Sequence, residues 1–325
     1  MKNFHLIVSR VAGAWLLSSA AMVHAQTEAG IDAGLRTDYL RFNIAGPGGA
    51  PNILSELTWE NVKSQYVNVH AAFKDGDFNL RGDYGYGRIT QGDNQDSDYV
   101  GNNRTEEFSR SNNKANGDSV SDAKLALGIE FEGLKETRFK ITPWVGLSRH
   151  QQNLNMTQGF QTIPASGPIP NLNSSYKARW TGPWAGLNVR FQADTNLAIR
   201  ANVEHHWANY SAQGNWNLRE CWEHPESYTH TAEGSGNDLS LSADIELNPG
   251  VTVSLSMTYS SWVTDAGKDT VHLTGDFYTR RNAQGNLVCI PVVVPPQEQI
   301  FDPSVRLNEV KWQSRNYLVG INMRL

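Results

Sequence analysis

The sequence has few cysteines, a small net charge and, beyond its first 25 residues, no long apolar run. The lack of such a run excludes a bilayer-spanning helix from the rest of the chain. The net charge of −5 comes without a basic patch of the kind that binds nucleic acid, so nucleic acid is not an expected partner. The two cysteines, Cys221 and Cys289, lie in no recognised cysteine motif, which argues against a metal site or a thiol nucleophile.

Residues 1–25 have the features of a secretory signal. A positively charged start is followed by the apolar stretch Val11–Met22 and by small residues suited to cleavage. The alternative is an uncleaved membrane-anchor helix, which the short length of the stretch and its interruption by Ser18 and Ser19 disfavour. We therefore expect a signal peptide over residues 1–25 and one domain over residues 26–325, beginning at Gln26.

The most informative feature of the chain is a strict alternation of apolar and polar residues. It runs through Leu239–Leu247, breaks at a turn over residues 248–250, and resumes through Val251–Tyr259. Side chains on a strand point to opposite faces in turn, so each run has one apolar and one polar face. Each run also has about the 9–11 residues that a tilted strand needs to cross a bilayer. The pattern predicts a hairpin of a transmembrane barrel.

Similar runs recur along the chain and are joined alternately by short turns and long loops. The short turns fall at Asp75-Gly76 and at residues 133–135, 194–196 and 248–250, and the polar loops at residues 91–121, 158–173, 217–235 and 265–308. We expect an all-β fold, an antiparallel ten-stranded transmembrane β-barrel with short periplasmic turns and long extracellular loops in the bacterial outer membrane. A soluble β-sandwich also alternates, but it explains neither this loop asymmetry nor the alternating strand at the C-terminus.

Two further expectations concern the wall of this barrel. The first is a girdle of tryptophans at the membrane boundary, formed by Trp59, Trp144, Trp184, Trp207, Trp262 and Trp312. The second is a polar inner face that fills a narrow lumen, with charges that must pair or keep water: Arg81, Asp83, Lys124, Glu130, Arg190, Arg200, Glu204, Asp244 and Glu246. Open passage of solutes is disfavoured because barrels with a free channel have about 16–18 strands.

Three segments resemble the omptin family of ten-stranded outer-membrane endopeptidases. They are Ser55–Trp59, similar to the start of the family's second strand, residues 176–187, similar to its sixth strand, and Asp96-Ser97-Asp98-Tyr99, similar to the Asp-x-Asp-Trp motif of its second outer loop. The resemblance implies a cleft in which Asp96 and Asp98 hold a water opposite an Asp-x-His pair. In that chemistry the histidine acts as the general base.

The chain departs from the omptin pattern at the second half of this cleft. His224 aligns with the family histidine, but Trp222 stands two residues earlier in place of aspartate. Glu220 or Glu223 would have to substitute with altered geometry, and a misplacement of about 1 Å costs on the order of a hundredfold in rate. The candidate catalytic residues are therefore Asp96, Asp98 and His224, with Glu220 and Glu223 as substitutes, and no metal or other cofactor is expected.

The resemblance also implies a lipopolysaccharide activator held by basic residues on the barrel exterior. Arg179 matches one such position of the sixth strand, and the family's Glu-x-Arg of the fifth strand is replaced by residues 148–151. The alternative for Arg179 is an arginine that reaches the membrane interface from the apolar surface. Outer-membrane lipid is the expected partner in either case.

Cys221 and Cys289 fall in the two last long loops, and in an exported protein they are expected to form a disulfide. The apolar stretch over residues 288–296 in the second of these loops either packs across the barrel mouth or contacts a protein or peptide partner. Together with the altered cleft, this favours a non-enzymatic barrel for surface binding or assembly. The alternatives are an omptin-type endopeptidase at the cell surface and a small-solute channel.

Overall fold

The computed structural model describes residues 26–132, 138–274, 277–281, 287–291 and 304–325. In this part of the chain nearly all regular structure is antiparallel strand, and the elements are as follows. The strands are β1 (Gln26–Ile44), β2 (Ser55–Asp75), β3 (Phe78–Tyr99), β4 (Glu107–Lys114), β5 (Ser119–Ile129), β6 (Phe131–Glu132), β7 (Phe139–Ile163), β8 (Gly167–Pro168), β9 (Asn173–Asp194), β10 (Leu197–Asn215), β11 (Tyr228–Asn248), β12 (Val251–Thr264), β13 (Gly267–Val271), β14 (Phe277–Arg281), β15 (Leu287–Pro291) and β16 (Ser304–Arg324). Two short 3-10 turns cover Pro47–Gly49 and Asn102–Arg104.

The long strands form one closed ring with ten positions in the described residues. Neighbours in sequence pair with each other, β4 and β5 share the fourth position, and β12 and β13 share the ninth. The ring closes because β16 pairs with β1, from Glu28 opposite Arg324 to Ile44 opposite Leu307. This confirms the predicted antiparallel ten-stranded barrel, and the predicted C-terminal strand is the one that closes it. No helix in the described ranges has the length and apolar character needed to cross a membrane.

The wall is apolar outside and polar inside, as the alternation predicts. Leu239 and Leu241 are 55% and 57% exposed on the exterior, whereas Asp244 and Ser254 are buried in the lumen. The predicted inner-face charges lie in the interior and most of them form ion pairs there. The exposed leucines therefore face the apolar solvent that a bilayer supplies.

The turn predictions are confirmed wherever the structure describes them. β2 ends at Asp75 and β3 begins at Phe78, and the turns at residues 195–196 and 249–250 join the strands on either side. The turn predicted at residues 133–135 and the signal predicted over residues 1–25 lie outside the described residues. The described turns gather at one end of the ring, which we call the short-turn end, and the opposite end is the long-loop end.

The four predicted long loops are wrong in extent, because strands continue into them. β3 extends to Tyr99, β4 lies wholly within the predicted loop 91–121, and β11 begins at Tyr228. Above the membrane both faces of a strand meet water or polar neighbours, so backbone pairing persists without the alternation of apolar residues. Asp96 and Asp98 consequently lie on a strand and not on a loop.

The predicted tryptophan girdle is also wrong. Trp59, Trp184, Trp262 and Trp312 are at most 2% exposed and point into the lumen, and Trp144 contacts Arg81 there. Of the six, Trp207 is the one exposed on the exterior, at 52%. The buried rings pack with Tyr176, Trp180 and Tyr210 into an aromatic layer that fills the barrel toward its long-loop end.

Below the aromatic layer the lumen holds two buried ion clusters. In the first, Arg36 pairs with Asp38 at 2.7 Å and with Asp122, which also accepts from Tyr66 and contacts His150. The Arg36 side chain is only 1% exposed, so its charge depends on these carboxylates for stabilisation.

In the second cluster, Lys124 Nζ lies 2.5 Å from Glu204 Oε2 and 2.8 Å from Asp238 Oδ2. Glu204, Asp238 and His206 are close enough to hold a metal ion. The ammonium of Lys124 already supplies the positive charge that these carboxylates require. The indole N–H of Trp262 donates to Asp238 Oδ1 at 3.0 Å and joins this cluster to the aromatic layer.

Replacement of Lys124 tests whether these ion pairs hold the barrel together. Lys124→Met removes the cation that Glu204 and Asp238 share, leaves Glu204 only with Arg81 at 3.4 Å and the neutral or charged His206, and is expected to lower the free energy of unfolding by about 3–5 kcal/mol. The measurement is urea unfolding followed by the gel mobility of folded and unfolded barrel. The matched control is Lys114→Met, because Lys114 pairs with Asp93 at a site where both side chains are largely exposed. This change is expected to lower the free energy of unfolding by about 0–1 kcal/mol. Equal effects of the two changes would contradict the prediction.

Candidate functional site

The aspartate pair predicted from sequence lies at the long-loop end of the lumen. Asp96 stands opposite Leu57 and Asp98 opposite Ser55 on β2. Leu57 is 3% exposed, so its cross-strand partner Asp96 also belongs to the inner face. The apolar exterior of β3 ends near Tyr86, which puts both carboxylates well outside the membrane-spanning part of the strand.

Asp96 is a perturbed acid. Burial, followed by the nearby charge of Asp98, raises the pKa of Asp96 to about 8, against the opposing effect of Arg219. Its Oδ1 is buried and accepts no hydrogen bond in the described part of the chain. Below that pH the side chain is therefore neutral and able to donate a proton, and above it the pair carries two negative charges near Arg219.

His224 lies in the loop after β10, in a position set by its own loop. Its Nδ1 is 2.7 Å from Asn215 Oδ1 and 3.4 Å from Ser227 Oγ. The side chain is exposed, and the contacts described for it join it to these two residues and not to Asp96 or Asp98. Among the described contacts, those of His224 therefore hold it within its own loop.

The two candidate substitutes for the missing aspartate are exposed. Glu220 and Glu223 both lie on the surface of this loop, and the backbone N–H of Glu223 donates to the carbonyl of His272 at 2.9 Å. Trp222, which occupies the family's aspartate position, is partly buried and packs near the ring of Tyr228. Catalytic roles for Asp96, Asp98, His224, Glu220 and Glu223 remain predictions.

A different histidine and aspartate do meet beneath the aspartate pair. His230 Nε2 lies 3.1 Å from Asp269 Oδ1, and both side chains are nearly inaccessible. The other ring nitrogen of His230 lies 2.8 Å from the hydroxyl of Tyr176. The imidazole is therefore buried between Tyr176 and Asp269, and its Nε2 makes no hydrogen bond among the described residues. Sequence analysis missed this pair, because Asp269 falls in a segment predicted to be a loop.

An aromatic cluster lines the mouth beside these acids. Tyr228 packs edge to face against Trp216 at 4.8 Å between ring centroids and against Trp222 at 6.3 Å. Burial, then the charges of Asp269 and Asp96, raise the pKa of the Tyr228 hydroxyl well above its ordinary value. The mouth therefore combines a carboxylate pair with rings packed edge to face, a combination that suits a cationic group.

Arg179 lies on the exterior of β9, next to two other cations. Its cross-strand partners are Gln151 on β7 and Ser211 on β10. Arg149, two residues from Gln151 on the same face, donates to Gln151 Oε1 at 3.0 Å, and Lys177 is the next outward residue on β9. Arg149, Lys177 and Arg179 form a patch that we call the exterior basic patch.

Cys221 is buried at the long-loop end and is not a free thiol. Cys289 lies on β15, of whose side chains the structure gives no description, so its disulfide with Cys221 stays a prediction. The apolar stretch over residues 288–296 extends beyond β15 and lies mostly outside the described residues.

Comparison with known proteins agrees with this architecture. The family model described as Pom, Protochlamydia outer membrane protein, matches residues 30–325. A closed antiparallel ring with an apolar exterior and a polar lumen defines an outer-membrane β-barrel. The chain belongs to the Protochlamydia outer membrane protein family. A comparison with curated proteins found no match.

Among solved structures, the chain is similar to the outer membrane protease OmpT from Escherichia coli, with a TM-score of 0.68 and 10% identity over 92% of this chain and 97% of that chain. It also matches the translocator domain of the autotransporter NalP from Neisseria meningitidis, with a TM-score of 0.37 and 9% identity over 100% of this chain and 95% of that chain. A third match is the outer membrane protein OprG from Pseudomonas aeruginosa, with a TM-score of 0.33 and 10% identity over 93% of this chain and 97% of that chain. The first match shows a shared, omptin-like fold, and at these identities none of the three carries an activity over.

The raised pKa of Asp96 predicts a pH dependence of stability. The folded chain keeps the Asp96 proton up to about pH 8, whereas the unfolded chain loses it near 3.8. The folded state therefore binds more protons between these values, and its stability falls as the pH rises through this window. Asp96→Asn should reduce the fall, measured as the urea midpoint at pH 5 and pH 8. An unchanged pH profile in Asp96→Asn would show that Asp96 ionises normally.

Proposed function

We propose that this protein is a plugged, non-enzymatic outer-membrane barrel that binds a partner at its long-loop end, which faces the cell exterior. The observation that carries the proposal is the position of His224, which contacts Asn215 and Ser227 while the acid pair lies elsewhere in the mouth. The described contacts of His224 thus tie it to its own loop, which supports a binding role for the acid pair rather than a catalytic one.

The filled lumen argues against the channel alternative. The aromatic layer includes Trp59 and Trp180, both fully buried, and the ion clusters of Arg36 and Lys124 lie beneath it. Solute passage would require these rings and paired charges to separate, and separating buried ion pairs is costly. Planar bilayers containing the protein are expected to stay without stepwise conductance.

The mouth is best suited to a basic segment of a partner protein or peptide. Asp96 and Asp98 offer two carboxylates, of which Asp96 Oδ1 accepts no described hydrogen bond. The rings of Trp216, Trp222 and Tyr228 lie alongside and can contact a guanidinium or ammonium through their faces. A bound cation would also relieve the repulsion between the two carboxylates, and so favour ionisation of both.

The experiment is binding of a fluorescent tetra-arginine peptide to the barrel folded in detergent with lipopolysaccharide, followed by polarisation and by mass spectrometry of the peptide. We expect saturable binding of an intact peptide, weakened about tenfold or more by Asp96→Asn because one charged hydrogen bond is lost. The matched control is Asp77→Asn, because Asp77 is an exposed aspartate in a turn at the opposite end.

Two outcomes would count against this proposal. Absence of binding, or equal weakening by Asp77→Asn, would exclude the mouth as the binding surface. Cleavage of the peptide that is lost in Asp96→Ala, Asp98→Ala and His224→Ala would establish the endopeptidase alternative instead.

A second candidate function, contact with lipopolysaccharide, is favoured by the exterior basic patch. Arg149, Lys177 and Arg179 share one face of neighbouring strands, and Arg179 Nε is buried without a hydrogen bond to any described residue. Guanidinium groups bind phosphate through two parallel hydrogen bonds, and the phosphates of a lipid A headgroup would lie at this height above the apolar belt.

Substitution of the patch tests this lipid contact. Arg179→Gln is expected to reduce the rise in melting temperature that lipopolysaccharide gives to the detergent-folded barrel, because a phosphate ligand is lost. The matched control is Arg88→Gln, because Arg88 is an exposed arginine of β3 outside the patch. If lipopolysaccharide raises the melting temperature of Arg179→Gln as much as that of the unchanged protein, Arg179 is not the lipid ligand.

A further inference from the structure

A row of three like charges crosses the lumen near the short-turn end. Lys140 on β7 stands directly opposite Arg190 on β9, and Arg190 stands directly opposite Arg200 on β10. All three side chains belong to the inner face. Side chains opposite each other in an antiparallel pair have Cβ atoms about 4.5–5.5 Å apart, and like charges in these positions repel.

The outer two cations of the row have carboxylate partners. Arg200 Nη2 donates to Asp244 Oδ1 at 2.7 Å, and Lys140 Nζ lies 3.0 Å from Glu130 Oε1. Arg190, between them, has no carboxylate partner in the described part of the chain, and its described contact is a 3.4 Å hydrogen bond to Gln192. The most crowded cation of the row is therefore the one without a counter-charge.

Arg190 borders a cavity of about 460 Å³ at this end of the barrel. The cations that line it are Lys74, Arg138, Lys140, Arg190 and Arg324, against the two carboxylates Glu28 and Glu130. Of the arginines, Arg138 donates to the carbonyl of Ala193 at 3.1 Å and has no carboxylate partner among the described residues. The described lining thus carries an excess of three positive charges in a chain whose net charge is −5.

We propose that this cavity is a binding site for a small multivalent anion that carries phosphate groups. Its volume lies within the range of about 300–1,000 Å³ that is usual for small-molecule sites. Arginine is the side chain best matched to phosphate, because its planar group donates two parallel hydrogen bonds. An anion seated on Arg190 would neutralise the middle of the row and remove the repulsion from both neighbours. The ligand enters from the compartment that the short-turn end faces.

The test uses the barrel over residues 26–325, folded in phosphatidylcholine nanodiscs and titrated with sodium tripolyphosphate in a calorimeter. We expect saturable binding of one anion per barrel, with an affinity that falls as sodium chloride is added. Arg190→Gln should weaken binding about tenfold or more, because charged hydrogen bonds to the phosphate are lost. Glu130→Gln should tighten binding, because a repelling carboxylate is removed from the wall.

The control is Arg306→Gln, because Arg306 is an exposed arginine at the long-loop end whose side chain donates to Asn308. The affinity of the Arg306→Gln variant for tripolyphosphate should equal that of the unchanged protein.

A second measurement, the melting temperature, is made without ligand. Because Arg190 stands between two cations, Arg190→Gln should raise the melting temperature of the ligand-free barrel, whereas loss of an arginine with a purely structural role would lower it.

The source of the phosphate is distinguished by repeating the titration in phosphatidylglycerol nanodiscs. Loss of tripolyphosphate binding there would identify an anionic lipid headgroup as the occupant, and unchanged affinity would identify a soluble anion. Absence of saturable binding in both lipids, or equal affinities of the unchanged protein and Arg190→Gln, would overturn the proposal.

Discussion

The structure depends on one constraint, which is that ionised side chains placed inside a narrow barrel must neutralise each other. Arg36 pairs with Asp122 and Lys124 with Glu204 and Asp238, and each of these pairs joins strands that are not neighbours in the ring. Such pairs stabilise the closed barrel, because removing either partner leaves an unpaired charge in an interior that solvates it poorly. The indole N–H groups of Trp262 and Trp312 donate to Asp238 and Asp38, so the aromatic layer is positioned by the same carboxylates.

This constraint separates the two ends of the molecule. At the long-loop end Asp96 lies beside Asp98, whereas at the short-turn end Arg190 lies between two other cations. The paired clusters and the aromatic layer lie between the two ends. The two proposed sites therefore differ in the sign of the charge that they present, and the ligands proposed for them differ accordingly.

The sequence predicts the membrane-embedded part of the fold well, because an apolar solvent outside and polar groups inside impose a period of two. The prediction fails where both faces of a strand contact water, and β4 and the outer half of β3 were consequently assigned to a loop.

The prediction of a tryptophan girdle failed for another reason. Trp262 has the same parity as Ser254 and Ser260, both buried in the lumen, so the alternation itself assigns it to the inner face. The pair of His230 and Asp269 was beyond sequence analysis, because it depends on the register of β11 with β13, a strand that carries no alternation. The catalytic roles of Asp96, Asp98 and His224 stay predictions, since a family pattern gives residue types and not the orientation of an imidazole.

The pairing of β1 with β16 has a consequence for how the molecule is assembled. These two strands are the most distant in sequence, and their contact closes the ring. Before it forms, β1 and β16 each present a row of unpaired peptide groups, which hydrocarbon cannot solvate. Partly closed barrels are therefore unstable in lipid, and strand pairing and barrel closure must be nearly simultaneous. Integrity of the final twenty or so residues then governs whether any of the barrel survives in the membrane, however well the preceding hairpins have formed.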